Sequence, residues 1–362
     1  MKDYSEDMVM KLNKESVIID LDGLEVEVKE IPEDTISNRL DPRALNDAKN
    51  MIELRNKERG ENKPTLEEIR EEMGGFNRNL NTVQIYTKYI EIETTYGKVP
   101  VWMYFPKSSR KEKKRKAFLY LHGGAFFGGT VFNVENECRL IAERADCVTF
   151  NIDYSLAPEN PFPIPCTQGY EVLRYVYEHA HELGIDPNKI AMGGDSAGGN
   201  LTAVCAQIDR DKGTKYLRLQ TLLYPKLTFT NHKLPGYERR LDAFTIAEEE
   251  KEYLPMLTHI GSDESNDGDE RVYVGGREDI TNPYISPAFG DKEGLCRTVL
   301  LLAEYDGLRL EGEFYAKRLR EAKVEVRVIR YNGMMHGFFD RLGYLPQAEA
   351  AVNEIVAEIK KM

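Results

Sequence analysis

Apolar residues follow two different rules along this chain. From about Val83 onward, short apolar runs alternate with stretches whose apolar positions recur at helical spacing. Val83 to Glu93 alternates in part, and Val99-Pro100-Val101-Trp102-Met103-Tyr104-Phe105 follows a Tyr96-Gly97 turn, the mark of an antiparallel strand pair. Further strands are predicted over Ala117–Leu121, Cys147–Asp153, Ile190–Gly193, Leu219–Tyr224, Thr298–Ala303 and Val324–Tyr331. Helices are predicted over Val134–Ala145, Gln168–Leu183, Ala197–Asp209, Leu310–Ala322 and Ala348–Lys360. In the last of these, Val352, Ile355, Val356 and Ile359 share one face at i, i+3, i+4 and i+7. Apolar strands alternating with amphipathic helices predict an α/β fold, a mostly parallel central sheet covered by helices on both faces.

Two regions stand outside this alternation. The segment before Val83 is charge-rich, with helical signals at Leu45–Ile52 and Thr65–Arg70, and Thr65 stands three positions before Glu68 as in a capping box. A turn-like Arg59–Pro64 separates them, so the segment reads as an appendage. Between Pro225 and Pro287 no clean strand–helix unit occurs, and an acidic run covers Ser262–Glu270. An insertion of this length inside an α/β domain is often a lid over a site. The expected organisation is therefore residues 1–81 as the N-terminal part of a cap, 82–225 and 283–362 as the two parts of the core, and 226–282 as a cap insertion. The charge run Arg110–Lys116 reads as a solvated turn.

Composition narrows the function classes. The 362 residues are 41% hydrophobic and 30% charged, ordinary for a globular chain of one elaborated domain or two. With 49 Lys+Arg against 61 Asp+Glu, the net charge is -12, and so acidic a surface repels phosphate backbones, which argues against nucleic acid as a partner. No apolar run is long enough for a membrane span and Met1–Asp7 has no signal-peptide character, so the expected location is cytoplasmic. Cys138, Cys147, Cys166, Cys205 and Cys296 are scattered and never form a CxxC pair, so they read as reduced, buried thiols with no zinc site.

The sharpest chemical signal is Gly194-Asp195-Ser196-Ala197-Gly198, a G-x-S-x-G between a predicted strand and a predicted helix. A serine there sits on a tight turn at a helix N-terminus, where partial positive charge favours a developing anion. Upstream, Leu121-His122-Gly123-Gly124-Ala125-Phe126 follows another strand, and a glycine pair in that place turns backbone N–H groups towards the site. The Ala197 amide adds a further donor. His122 suits a bracing role, because its neighbours are needed as donors.

A serine nucleophile needs a base, and the base an acid to orient it. With the order Ser, acid, His expected on this architecture, His336 is favoured, since it follows a late strand in Tyr331–Phe338. His232 and His259 fall in the irregular insertion, and His179 and His181 precede the serine. Thr298–Ala303 runs into Glu304-Tyr305-Asp306-Gly307, which offers two carboxylates. Asp306 lies just past the strand end and is favoured by placement, with Glu304 structural.

Together these segments resemble the hormone-sensitive lipase family of α/β-hydrolase esterases, in the branch with a G-D-S-A-G elbow. The resemblance runs from Val83 to Lys361 through His122-Gly123-Gly124, Asp153–Glu159, Gly193–Asn200, Asn282–Pro287, Glu304–Arg309 and His336-Gly337-Phe338. It implies an α/β-hydrolase fold with a helical cap, and a triad of Ser196, Asp306 and His336. It also implies an oxyanion hole from Gly123, Gly124, Ala125 and Ala197. The chain departs from the family pattern at Ala125, where a third glycine is usual, at Leu310, where a second aspartate is common, and at Ser155 and Asn160.

The expectation is a serine carboxylesterase for short- to medium-chain acyl esters, acting through an acyl-enzyme with no cofactor and no metal, and with a small-molecule ester as its partner. An amidase or formamidase would use the same machinery. A non-catalytic small-molecule receptor on the same fold is a third reading, against which the presence of His336 argues. The Asp263–Gly268 run echoes a calcium loop, but Val274 stands where the bidentate carboxylate belongs, so it reads as a solvated loop. Edge strands of such sheets commonly pair, which leaves a homodimer open.

Overall fold

The computed structural model describes residues 2–33, 37–58, 65–107, 114–230, 234–260, 270–276 and 279–362. A 10-stranded sheet runs through the molecule in the order β1-β2-β10-β9-β8-β7-β5-β6-β4-β3. Its strands are β1 (Val17–Leu21), β2 (Leu24–Lys29), β3 (Ile85–Thr94), β4 (Gly97–Pro106), β5 (Arg115–Leu121), β6 (Cys147–Ile152), β7 (Ile185–Asp195), β8 (Leu219–Leu223), β9 (Arg297–Tyr305) and β10 (Val326–Met335). From β2 through β10, β9, β8, β7 and β5 to β6 every pairing is parallel. The β1–β2 and β3–β4 hairpins close the two ends antiparallel. Continuous apolar runs make the central strands because both of their faces are covered: β6 and β8 are buried at every position.

Two cores lie on opposite faces of this sheet. Leu119 and Leu121 of β5 point to one, with Leu173 of α5 (Ile164–Glu178), Leu201 of α6 (Ala197–Asp211) and Tyr315 of a helix at Leu308–Glu321. Phe118 and Tyr120 point to the other, with Ile141 of α4 (Glu135–Ala145) and Ile355 of the C-terminal helix at Pro346–Lys361. This is the strand period of two, read out as two layers. With α1 (Glu6–Lys14), α2 (Pro42–Glu58), α3 (Leu66–Glu72) and α7 (Leu254–Thr258), the Leu308–Glu321 helix is α8 and the C-terminal helix is α9. Among the described residues no helix is long and apolar enough to cross a membrane.

The first eighty residues differ from the expected appendage. Val17–Leu21 and Leu24–Lys29 form a hairpin about Asp22 (φ 53°) and Gly23 (φ 86°), and β2 pairs in parallel with β10. Leu24, Val26 and Val28 enter the main core, so this part of 1–81 belongs to the sheet and not to a cap. α1 packs against α9, where Tyr4 Oη donates to Glu349 (2.8 Å), and Ala44 and Ala48 of α2 are buried. α3 and the chain just after it reach the loop after β5, while the Asp41 amide donates to Gly333 O in β10 (3.0 Å) and the Asp3 amide to Gly343 O in the loop beyond it (2.8 Å). The capping box predicted at Thr65 and Glu68 starts that helix. Arg59–Pro64, most of the charge run from Arg110, His232 and nearly all of Ser262–Glu270 lie outside the described residues.

Candidate active site

Ser196 is held in a conformation that side-chain-bearing residues rarely adopt, φ 52° and ψ −115°, between the end of β7 and the first residue of α6. Such a conformation costs ~1–3 kcal/mol and persists only where the surroundings impose it. Here they do. A Cβ on Gly198 would collide with the Leu121 carbonyl, and one on Gly194 with the Gly198 carbonyl, so strand and helix meet at backbone contact. The Ser196 amide donates to Leu223 O of β8 (2.9 Å), which fixes the turn against its other neighbour.

The acid and the base arrive from the next strands. Asp306 follows β9 and is 2% exposed; its Oδ1 accepts from the Leu308 amide (2.9 Å) and its Oδ2 meets His336 Nδ1 at 2.7 Å. His336 Nε2 lies 3.0 Å from Ser196 Oγ. Between Tyr331 and Met335 the register of β10 slips against β9, and this bulge aims the following loop across the elbow. Glu304 Oε2 accepts from the Gly333 amide in that bulge (2.8 Å), a bracing role. Burial opposes a charge on His336, but the charge and hydrogen bond of Asp306, with Asp195 and Asp340 behind it, outweigh burial and hold the imidazole above its ordinary value. The arrangement can take a proton from the serine hydroxyl and keep it.

Leu121 of β5 pairs with Gly194 of β7, which sets the His122–Gly129 loop beside the elbow. Gly124 (φ 126°), Ala125 (φ 51°) and Phe126 (φ 67°) are all left-handed, so alanine takes the conformation in which a third glycine is usual. His122 is buried, its Nδ1 2.7 Å from Gly123 O and its ring stacked on Tyr154 at 4.5 Å. Burial pushes its pKa down to about 4. It braces the loop, as expected.

Gly123 needs a correction. Its amide donates to Asp195 Oδ1 (2.9 Å), which also accepts from Tyr120 Oη (2.9 Å), so this N–H is not turned to an oxyanion. Among the described residues nothing accepts from the amides of Gly124, Ala125 or Ala197. Asp195 itself carried no expected role. Its signal was its place: a charged residue at the end of a strand whose five preceding positions, Ile190–Gly194, are apolar or glycine. Burial, then the charge of Asp340, pushes its carboxyl up to about 7.

These groups open into a cavity of about 230 Å³. Its floor is Ser196, His336 and Asp195, and its walls include Asn133 and Asp340. Met73 and Gly74, just beyond α3, cover it. Arg70 of α3 fastens that cover: Nε donates to Phe127 O (2.6 Å), Nη2 to Ala157 O (2.9 Å), and both Nη atoms to Glu159 (2.9 and 2.7 Å). Asp340 and Arg70 were not singled out in the sequence, since nothing local marks them. His179 stacks on Tyr175 on α5 and His259 ends α7, both away from these contacts.

A fold with its chemistry at the carboxyl edge of a parallel sheet, a strained serine after one strand and an acid and a histidine after later ones, is an α/β hydrolase. A family model for the alpha/beta hydrolase fold matches residues 118–340. The chain is 30% identical to esterase LipI of Mycobacterium tuberculosis over 80% of this chain and 86% of that protein. It is 32% identical to carboxylesterase NlhH of the same species, over 73% and 78%. An esterase of Pyrobaculum calidifontis superposes with a TM-score of 0.67 at 34% identity, covering 76% of this chain and 85% of that one. The chain belongs to the α/β-hydrolase fold family and, within it, to the esterases that resemble hormone-sensitive lipase.

Proposed function

We propose that the protein is a serine carboxylesterase of short- to medium-chain acyl esters, and one observation carries the reading: the unbroken hydrogen-bonded line from Asp306 through His336 to Ser196 Oγ, 2.7 and 3.0 Å. Ser196 Oγ attacks the ester carbonyl while His336 Nε2 takes its proton. Asp306 holds the Nδ1–H tautomer and balances the imidazolium. The amides of Gly124, Ala125 and Ala197 receive the oxyanion, with Gly123 held back by Asp195. His336 then protonates the departing alcohol. Water, deprotonated by the same imidazole, releases the acid. The esterase names of the relatives support the reaction class. The modest cavity under α3 supports a small acyl group, and residues 65–77 act as its cover, with Phe229 and Tyr273 of the insertion packed on Phe126 of the neighbouring loop. The test is Ser196→Ala on chromogenic esters from two to sixteen acyl carbons. Activity should peak at about eight carbons or fewer. The variant should lose ~10³-fold or more in kcat with its fold intact. A fluorophosphonate adduct on any other residue would refute the assignment.

A further inference from the structure

The cavity beside Ser196 has an acidic wall that, among the described residues, only the His336 imidazole answers. Much of its lining is glycine backbone, and the titratable side chains on it are His336, Asp195 and Asp340, with no lysine or arginine. Asp340 lies four residues past His336 on the same loop. Its backbone carbonyl packs so closely on Gly75 that a Cβ there would collide, which fixes the residue in place. Its Oδ1 is buried and has no hydrogen-bond partner. The backbone N–H groups of Gly75 and Asp340 and the charges of His336 and Arg341 favour its carboxylate, yet none of them bonds Oδ1. Tyr224 faces it from the end of β8 as a neutral phenol. Glu137 of α4 lies behind it, fully buried with both carboxyl oxygens unpartnered, and burial pushes its carboxyl well above the ordinary carboxylate range. Arg341, its chain neighbour, reaches towards Asp47 (3.8 Å).

On the esterase reading above, we propose that Asp340 is a specificity residue that receives a cationic group of the substrate, so that the preferred ester bears an ammonium a few bonds from the carbonyl that Ser196 attacks. A neutral hydroxyl would satisfy one orphaned oxygen. A cation also relieves the repulsion between Asp340 and Asp195, which face the same small space with partial burial strengthening every charge in it. An anionic end group meets two carboxyls and is rejected. Burial raises the carboxyl pKa of Asp340 before any ligand is present. A bound cation favours the charged carboxylate, so the preference grows as pH rises.

The test compares matched esters of equal shape that differ only in end group: trimethylammonium, tert-butyl and carboxylate. One series carries the group on the alcohol and a second on the acyl chain, to learn which half enters the cavity. In at least one series the ammonium ester should exceed the tert-butyl ester by ~10-fold in kcat/KM at pH 8, with the carboxylate ester lowest, and the ratio should shrink towards pH 6. Asp340→Asn should bring the ammonium-to-neutral ratio close to one, and Asp340→Glu should restore part of it. A ratio of one or less in both series of the unaltered protein overturns the proposal, as does a ratio that survives Asp340→Asn. If Asp340→Asn does not fold, the ratio and its pH trend in the unaltered protein decide alone. Failure of the esterase reading looks different: no ester of any charge is turned over and Ser196 resists a fluorophosphonate.

Discussion

The two turns that meet at the site, the elbow after β7 and the loop after β5, are built on opposite plans. The elbow concentrates its strain in one residue, Ser196, and is shaped almost wholly by backbone: Gly194 and Gly198 let β7, β5 and α6 touch, and the Leu223 carbonyl holds the serine amide. The loop spreads its left-handed residues over Gly124, Ala125 and Phe126 and is shaped by side chains from elsewhere. Asp195 holds the Gly123 amide, Tyr154 Oη donates to His122 O (2.8 Å), Phe126 stacks on Tyr273 at 4.0 Å, and Arg70 reaches in from α3. Such a difference should show in what each turn tolerates. A backbone-built turn breaks when any atom is added. A side-chain-built loop loosens by degrees.

Gly198→Ala breaks the elbow most severely. The new methyl has nowhere to go, because its obstacle is the carbonyl of Leu121 on a central strand and not a side chain that can turn aside. Activity should fall by ~10³-fold or more, with a lower melting temperature measured by circular dichroism. Activity within a few-fold of the parent would show that backbone contact does not set the turn.

This contrast also explains which parts were legible in the sequence. The elbow was, because its rule is local: glycines at fixed offsets around a serine, between an apolar strand and a helix. His336 and Asp306 were, because chain order and strand ends restrict them. Which amides face the oxyanion was not, because the direction of the Gly123 N–H depends on a carboxylate reached through the fold. The β1–β2 hairpin lay between these cases. Asp22-Gly23 between alternating runs is a local hairpin signal, but its value as sheet lies in β10, near the opposite end of the chain. Asp340 and Arg70 were invisible because each acts only through where its helix or loop is docked.

The middle of the range is Asp195. Asp195→Ala leaves the Tyr120 hydroxyl and the Gly123 amide without an acceptor, each a loss of ~1–3 kcal/mol in a buried place, and frees the loop to drift. We expect kcat to drop by ~10²-fold with a smaller change in KM. Asp195→Asn keeps the acceptor and removes the charge. Asp195 is one of the groups that raise the His336 pKa, and the base must be neutral to act, so the acid limb of the kcat profile should move to lower pH in this variant. Stability should shift too. The carboxyl is pushed up to about 7 in the folded chain against 3.8 for an ordinary aspartate, so the native state holds an extra proton and loses stability as pH rises from about 4 through 7. The asparagine variant should lose less stability across that window. A limb that stays put would mean that Asp195 shapes the loop by geometry alone.

The smallest effect belongs to Arg70, the tie between α3 and the loop. Arg70→Ala removes donors to the part-buried Phe127 and Ala157 carbonyls and to the exposed Glu159, and the space left by the side chain admits water to replace them. The ion pair with Glu159, whose side chain is 56% exposed, adds little by itself, as exposed pairs contribute ~0–1 kcal/mol. What the arginine does is hold Met73 and Gly74 over the cavity while pinning the loop at Phe127. Its loss should therefore cost ~5-fold in kcat/KM and flatten the acyl-length profile, since the cover no longer stops a longer chain. Glu159→Gln keeps both carbonyl contacts and should stay within ~2-fold. If Glu159→Gln proved as damaging as Arg70→Ala, the ion pair and not the two carbonyls would be the tie. The loop would then depend on a surface charge and weaken with salt, which kinetics at low and high ionic strength would reveal.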